Sequence, residues 1–126
     1  MKRLWVGIGL LAVILLVGYW SSARMRQTHT AISEMLRRSA QAAQEDRWEE
    51  ADRLADEACE NWEDNWHFNA ALADHTVLDE IDGMFVQAEV YRKNRNTADY
   101  GALCARLAQS IDALQEGHRL SWWNLL

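Results

Sequence analysis

The sequence predicts an all-α fold: an N-terminal transmembrane helix followed by a four-helix, tetratricopeptide-like antiparallel domain. Three observations predict it. Residues 4–23 carry no charge, the chain contains no proline, and downstream apolar residues recur at the i, i+3, i+4 spacing of helix faces. The organisation is therefore an anchor over residues 1–23 and a helical domain over residues 24–126.

The uncharged run LWVGIGLLAVILLVGYWSSA is twenty residues long. At helical rise it spans roughly 30 Å, the thickness of a bilayer's hydrocarbon core. Lys2 and Arg3 precede it, and Arg24 and Arg26 follow it. Trp5 and the pair Tyr19 and Trp20 stand at its two ends, where amphipathic rings meet the headgroups. The rival reading is a cleaved secretory signal, for which Ser21 and Ala23 offer small residues at −3 and −1. Against it, the strongly apolar part covers 17 residues, longer than a signal's core of about 7–15. A buried core helix would need a polar stripe, or a larger domain around it, and this chain has neither. Sidedness is balanced: Arg24, Arg26, Arg37 and Arg38 outnumber Lys2 and Arg3, yet short basic heads commonly stay inside while the following domain crosses.

Four helices are expected beyond the anchor, with no Gly/Ser-rich or Pro-rich linker before the first. The first covers residues 28–45, with Ile32, Met35, Leu36, Ser39, Ala40 and Ala43 inward. The second covers residues 46–63 and starts at Asp46, which with Glu49 forms a D-x-x-E capping pattern. Trp48, Ala51, Leu54, Ala55, Ala58 and Trp62 make its apolar stripe. The short connection predicts an antiparallel hairpin. A long third helix is expected over residues 64–93, with Ala70, Ala73, Val77, Ile81, Met84, Ala88 and Tyr91 in its stripe and Leu78 and Phe85 beside it. Gly83 lies inside it, as a close packing point or a mild bend. The run Arg92-Lys93-Asn94-Arg95-Asn96 is a turn with cations at the helix C-terminus. The fourth helix covers residues 97–117, with Tyr100, Leu103, Leu107, Ile111 and Leu114 inward, and an apolar tail, residues 118–126, follows it. Ala51 and Ala58, seven apart after Trp48, resemble the second helix of a tetratricopeptide repeat, with Ser39 as the small residue of the first. The closing proline and first-helix aromatic are missing, so a plain antiparallel bundle is the alternative.

Charge excludes some functions. Residues 24–126 hold 11 basic and 19 acidic side chains, a formal charge of −8, whereas nucleic-acid binders carry a basic footprint. No phosphate loop, nucleophile elbow or Cys/His pair is present, so no enzymatic activity and no cofactor are expected. Cys59 and Cys104 would pair in an oxidising compartment, or sit as small half-buried helix residues. His75, Asp79 and Asp82 share a helix face at i, i+4, i+7, and His67 or Asp74 would add a ligand to a divalent metal there. The alternative is a polar strip of interhelical hydrogen bonds or a solvated face. The second helix is the more suggestive surface. Ten acidic residues stand against two arginines between positions 45 and 64, and Glu49, Asp52, Asp56 and Glu60 are the candidates for docking a basic partner segment. A solvated face or a loose Ca²⁺ site are the alternatives. Trp122 and Trp123 are the second candidate, completing the core, touching the membrane surface or meeting a partner.

The whole chain resembles the domain-of-unknown-function 4363 family. The resemblance rests on the MKRLW start with its single anchor, Asp46-Arg47-Trp48-Glu49-Glu50-Ala51, the stretch from His75 through Asp79-Glu80-Ile81-Asp82, and the Asn124-Leu125-Leu126 ending. It implies a small bacterial single-pass membrane protein, mainly of Gram-positive spore formers, with no established activity and the helical domain outside the cytoplasm. No functional residues carry over. The expected partners are the membrane, through one span, and another membrane or envelope protein, with no nucleic acid. The expected function is a membrane-anchored protein-interaction module of unknown pathway. The competing classes are a small-molecule or metal-binding helical domain and a structural envelope or spore-associated protein.

Overall fold

The computed structural model describes the backbone of residues 1–124 and the side chains of residues 1–117 apart from Leu72. Five helices follow in order: α1 Lys2–Gln44, α2 Trp48–Asp64, α3 Trp66–Leu72, α4 His75–Lys93 and α5 Thr97–Asn124. No strand occurs among the described residues. α1 lies between α2 and α5, and α4 packs on α5. Two antiparallel hairpins, α1/α2 and α4/α5, thus form one four-helix bundle, with α3 as the short link between them.

The apolar N-terminal run and the first helix of the domain are a single unbroken helix. Lacking proline or glycine between Gly18 and the bundle, the chain has no residue that would interrupt the backbone ladder there. The first 28 residues contain no buried side chain, and burial begins at His29. From there the pattern turns amphipathic, with His29, Ile32, Ser33, Leu36, Ser39, Ala42 and Ala43 facing the bundle.

Both hairpins turn in the same way. At the end of α1, Asp46 adopts the left-handed conformation, φ 59°. Its N–H donates to Ala43 O, and Arg47 N–H donates to Ala42 O at 2.8 Å. At the end of α4, Arg95 has φ 53°, its N–H donates to Arg92 O, and Asn96 N–H donates to Tyr91 O at 3.0 Å. These are paired Schellman closures, built without the usual glycine. Asp46 therefore ends α1 rather than capping α2, whose N-cap is Arg47 with no side-chain capping bond. The expected capping pair with Glu49 does not form, because a left-handed residue inside the closure cannot aim its carboxylate at the next helix. Asn96 does cap α5, its Oδ1 accepting from Asp99 N–H at 3.3 Å.

The expected third helix over residues 64–93 is two helices. Ala73 is extended, φ −118° and ψ 160°, and Asp74 caps α4 by accepting from Thr76 N–H at 2.8 Å. A residue such as Asp74 offers the backbone a cap that competes with helix continuation. The break lets α3 carry the chain across the end of the bundle. Gly83 is neither break nor packing point: a methyl group there would meet nothing within 4 Å. The fourth helix runs beyond its expected end at residue 117, to Asn124. The side chains of Trp122 and Trp123 lie outside the described residues.

The core draws on all four long helices: Ile32 and Leu36, Ala51, Ala58 and Trp62, Leu78, Ile81 and Met84, and Tyr100, Leu107 and Ile111 are all nearly fully buried. Alanines 42, 43, 51 and 58 let α1 and α2 approach closely. Of the predicted stripe on α4, Ile81, Met84 and Ala88 are buried, whereas Val77 is exposed and its neighbour Leu78 is buried. The likeness to a tetratricopeptide hairpin rests on the sequence pattern of Ser39, Trp48, Ala51 and Ala58.

Buried polar groups fix the register. Ser39 Oγ donates to Ala51 O at 2.6 Å and lies 2.5 Å from Tyr100 Oη, so the phenol donates to the serine in turn. Ser33 Oγ donates to Asp112 Oδ1 at 2.7 Å, and Arg37 donates to Asp112 Oδ2 at 2.6 Å. Together these pin α1 against α2 and α5 at successive levels.

Two stability measurements follow. Ser39→Ala leaves the Tyr100 hydroxyl buried without its acceptor and should cost about 1–3 kcal/mol in chemical denaturation. Tyr100→Phe leaves Ser39 bonded to Ala51 and should cost less, about 1 kcal/mol; the reverse ranking would refute the assigned donor order. Gly83→Ala should raise stability by about 1 kcal/mol, because the site is helical and open.

Candidate functional site

The outward face of α2 is acidic, as the sequence predicts, but part of it is already engaged. Arg95 Nη1 donates to both Asp52 oxygens at 3.0 and 3.1 Å, and its guanidinium lies 4.9 Å from the centre of the Trp48 ring. Arg92 donates to Asp52 O at 2.9 Å and to Asp56 Oδ1 at 2.8 Å, with its side chain only 14% exposed. Burial is the largest single influence and opposes the Arg92 charge, but the hydrogen bond and charge of Asp56, with Tyr100 and Asp52, together outweigh it and raise the pKa above its usual value. The cationic turn after α4 thus clamps the second hairpin onto α2. Of the four candidate docking carboxylates, Asp52 and Asp56 serve this clamp. Glu49 and Glu60 are exposed and meet no cation among the described residues. The long-range pairing was invisible in the sequence because it joins residues about forty positions apart.

The candidate metal strip separates into unrelated roles. Asp82 accepts from Trp62 Nε1 at 2.7 Å and from Trp66 Nε1 at 3.1 Å, so both its oxygens hold indoles at the junction of α2, α3 and α4. His75 and Asp79 are exposed, Asp74 is the cap of α4, and the exposed His67 ring stands edge-on to Trp66 at 5.6 Å. No group of three or more metal-ligating side chains gathers among the described residues.

Both cysteines are free thiols, Cys59 half-buried and Cys104 buried. Burial, aided by the neighbouring Glu63, pushes Cys59 up to about 11, and burial pushes Cys104 up to about 11. Neither is a nucleophile at neutral pH.

A cavity of about 230 Å³ lies where α1 leaves the bundle, between Trp20, Arg24, Met25, Thr28 and His29 on one side and Asn65, Phe68 and Asn69 on the other. Two of these side chains, His29 and Asn69, are completely buried. His29 Nε2 donates to Asn69 Oδ1 at 3.1 Å, and the His29 ring lies 6.2 Å from the Trp62 ring. Asn69 Nδ2 meets no acceptor among the described residues, an arrangement that costs about 1–3 kcal/mol if left dry. Arg24 stands over the Trp20 ring at 5.8 Å. A sequence reading passes over this pair, since a lone histidine and a lone asparagine forty residues apart show no motif.

A family model described as Domain of unknown function (DUF4363) matches residues 19–125, most of the chain. No curated protein and no solved structure matches it.

The raised thiol pKa values carry a pH signature. A thiol whose folded pKa lies near 11 instead of 9.0 contributes stability that is intact below about pH 9 and is lost as pH rises towards 11. Denaturant titrations should show that alkaline loss, and it should be shallower in Cys104→Ala. Alkylation at about pH 8 should run roughly a hundredfold slower in the folded chain than in the unfolded one.

Proposed function

The chain belongs to the DUF4363 family, and from that starting point we propose that it is a membrane-anchored helical protein-interaction module of unknown pathway, with its helical domain on the extracytoplasmic face. The form of α1 carries this reading. It is the one described helix long and apolar enough to cross a membrane, and none of its most apolar 18-residue window is buried in the protein. Leu10, Leu11, Ile14, Leu15 and Leu16 are each more than half exposed. A contiguous apolar cylinder of this size in water would be a strong aggregation liability, whereas lipid satisfies it.

Continuity then sets distance. His29, the first buried residue, lies six residues beyond Ala23, about 9 Å along the helix. The bundle is therefore held close to the bilayer with no flexible spacer, which favours a partner that is itself a membrane or envelope protein. Glu49 and Glu60, flanking the clamped Asp52 and Asp56, supply an acidic surface for a basic segment of that partner. A second reading, a helical domain that holds a small molecule, draws support from the cavity beside His29 and Asn69.

The span is tested by alkaline carbonate extraction: the full chain should stay with the membrane, and a chain lacking residues 1–23 should be released. Glu49→Cys labelled in intact cells by a membrane-impermeant maleimide reports sidedness. Labelling without permeabilisation is expected, and protection would reverse the topology. A partner captured through the acidic face should dissociate by about 0.5 M NaCl and bind several-fold more weakly to the Glu49→Gln, Glu60→Gln double variant.

A further inference from the structure

We propose that the cavity between α1 and α3 binds the phosphodiester headgroup of an anionic phospholipid drawn from the membrane that α1 enters. The proposal rests on the reading of α1 as a membrane span, and three observations carry it beyond that reading.

The first is depth. If residues 4–23 fill a hydrocarbon core of about 30 Å, the next four or five residues lie in the headgroup zone, which adds about 5–7 Å on each side. Arg24, Met25 and Thr28 fall at that level and line the cavity. The pocket therefore opens where phosphates are, not out in bulk water.

The second is an unmet donor. Asn69 is fully buried in the cavity wall, its Oδ1 is taken by His29 at 3.1 Å, and its Nδ2 meets no acceptor among the described residues. A buried amide donor calls for an oxygen, and the cavity is far larger than a single water requires. Phosphodiester and glycerol-ester oxygens are acceptors of that kind.

The third is charge and shape. In a domain of formal charge −8, no carboxylate lines this cavity among the described residues, and Arg24 brings a guanidinium to it. Trp20, Met25 and Phe68 supply apolar walls, with Phe68 42% exposed. Cation, buried donor and apolar wall together match an amphipathic anion. A guanidinium binds phosphate through paired N–H donors, and the apolar side suits the first methylenes of the acyl chains.

The test is thermal unfolding of the purified full-length chain in detergent, titrated separately with phosphatidylglycerol, phosphatidylcholine and soluble glycerol phosphate. Phosphatidylglycerol should raise the midpoint saturably by several degrees, and phosphatidylcholine much less. Arg24→Gln should weaken the apparent affinity about tenfold, Arg24→Lys should retain most of it, and Asn69→Asp should abolish the preference by setting a carboxylate where the donor was. Arg24 is exposed, so the arginine variants remain readable even if Asn69→Asp fails to fold. Equal stabilisation by the two lipids, or a preference unchanged in Arg24→Gln, overturns the proposal. Equal stabilisation by glycerol phosphate assigns the pocket to a soluble anion and overturns the lipid. Carbonate extraction of the same chain separates the two failures. A chain released from the membrane loses the span and this proposal together, whereas a retained chain without lipid preference loses this proposal alone.

Discussion

The hydroxyl of Ser39 sits where three helices meet, and the arrangement of the bundle follows from how it is satisfied. A serine buried in an apolar interior carries a desolvation cost that only a particular alignment of neighbours removes. Here the alignment brings the carbonyl of Ala51 and the phenol of Tyr100 to within 2.6 Å of one oxygen. A one-residue slip of α2 or α5 along α1 would rotate a side chain by about 100° and strand a polar group. Hydrophobic contact between these faces would tolerate several registers; the serine admits one. Ser33 and Arg37, both bonded to Asp112, repeat the constraint farther along the same helix pair.

Once α1 is fixed in the bundle, everything rigidly attached to it is fixed as well. The helix has no break between its apolar half and its packed half, so the rotation that turns Ile32 and Leu36 inward also sets which side of Arg24 and Thr28 faces α3. The cavity lies where α1 leaves the bundle beside the short α3, with His29 and Asn69 joined in its wall. Its polar floor and cationic edge follow from the fold, and the proposed lipid site adds only an occupant.

Electrostatics play a different part. The arginines of the α4–α5 turn draw Asp52 and Asp56 into the structure, where they join the second hairpin to the first. The ion pairs are mostly exposed and individually weak, but Arg92 is nearly covered and also bonds a main-chain carbonyl. Each arginine therefore closes a hairpin and restrains its neighbour. Asp82, which looked like a metal ligand beside His75, instead ties together two indoles.

By itself the sequence determined the helical class, the apolar run, the family and most of the inward faces of α1, α2 and α5, because each of these depends on local periodicity or on contiguous composition. It misplaced what depends on competition between neighbours. In the linear pattern Asp74 fits a helix interior and Asp46 a helix start, yet Asp74 caps α4 and Asp46 closes the preceding helix, since one carboxylate suits either role until the flanking backbone chooses. Only the tertiary structure decided that α1 is continuous, that two acidic residues of α2 are spent on arginines forty positions away, and that His29 and Asn69 meet at the root of the apolar segment. These are contacts between residues with no shared period and no fixed spacing, created by the packing of helices, and a linear pattern holds no trace of them.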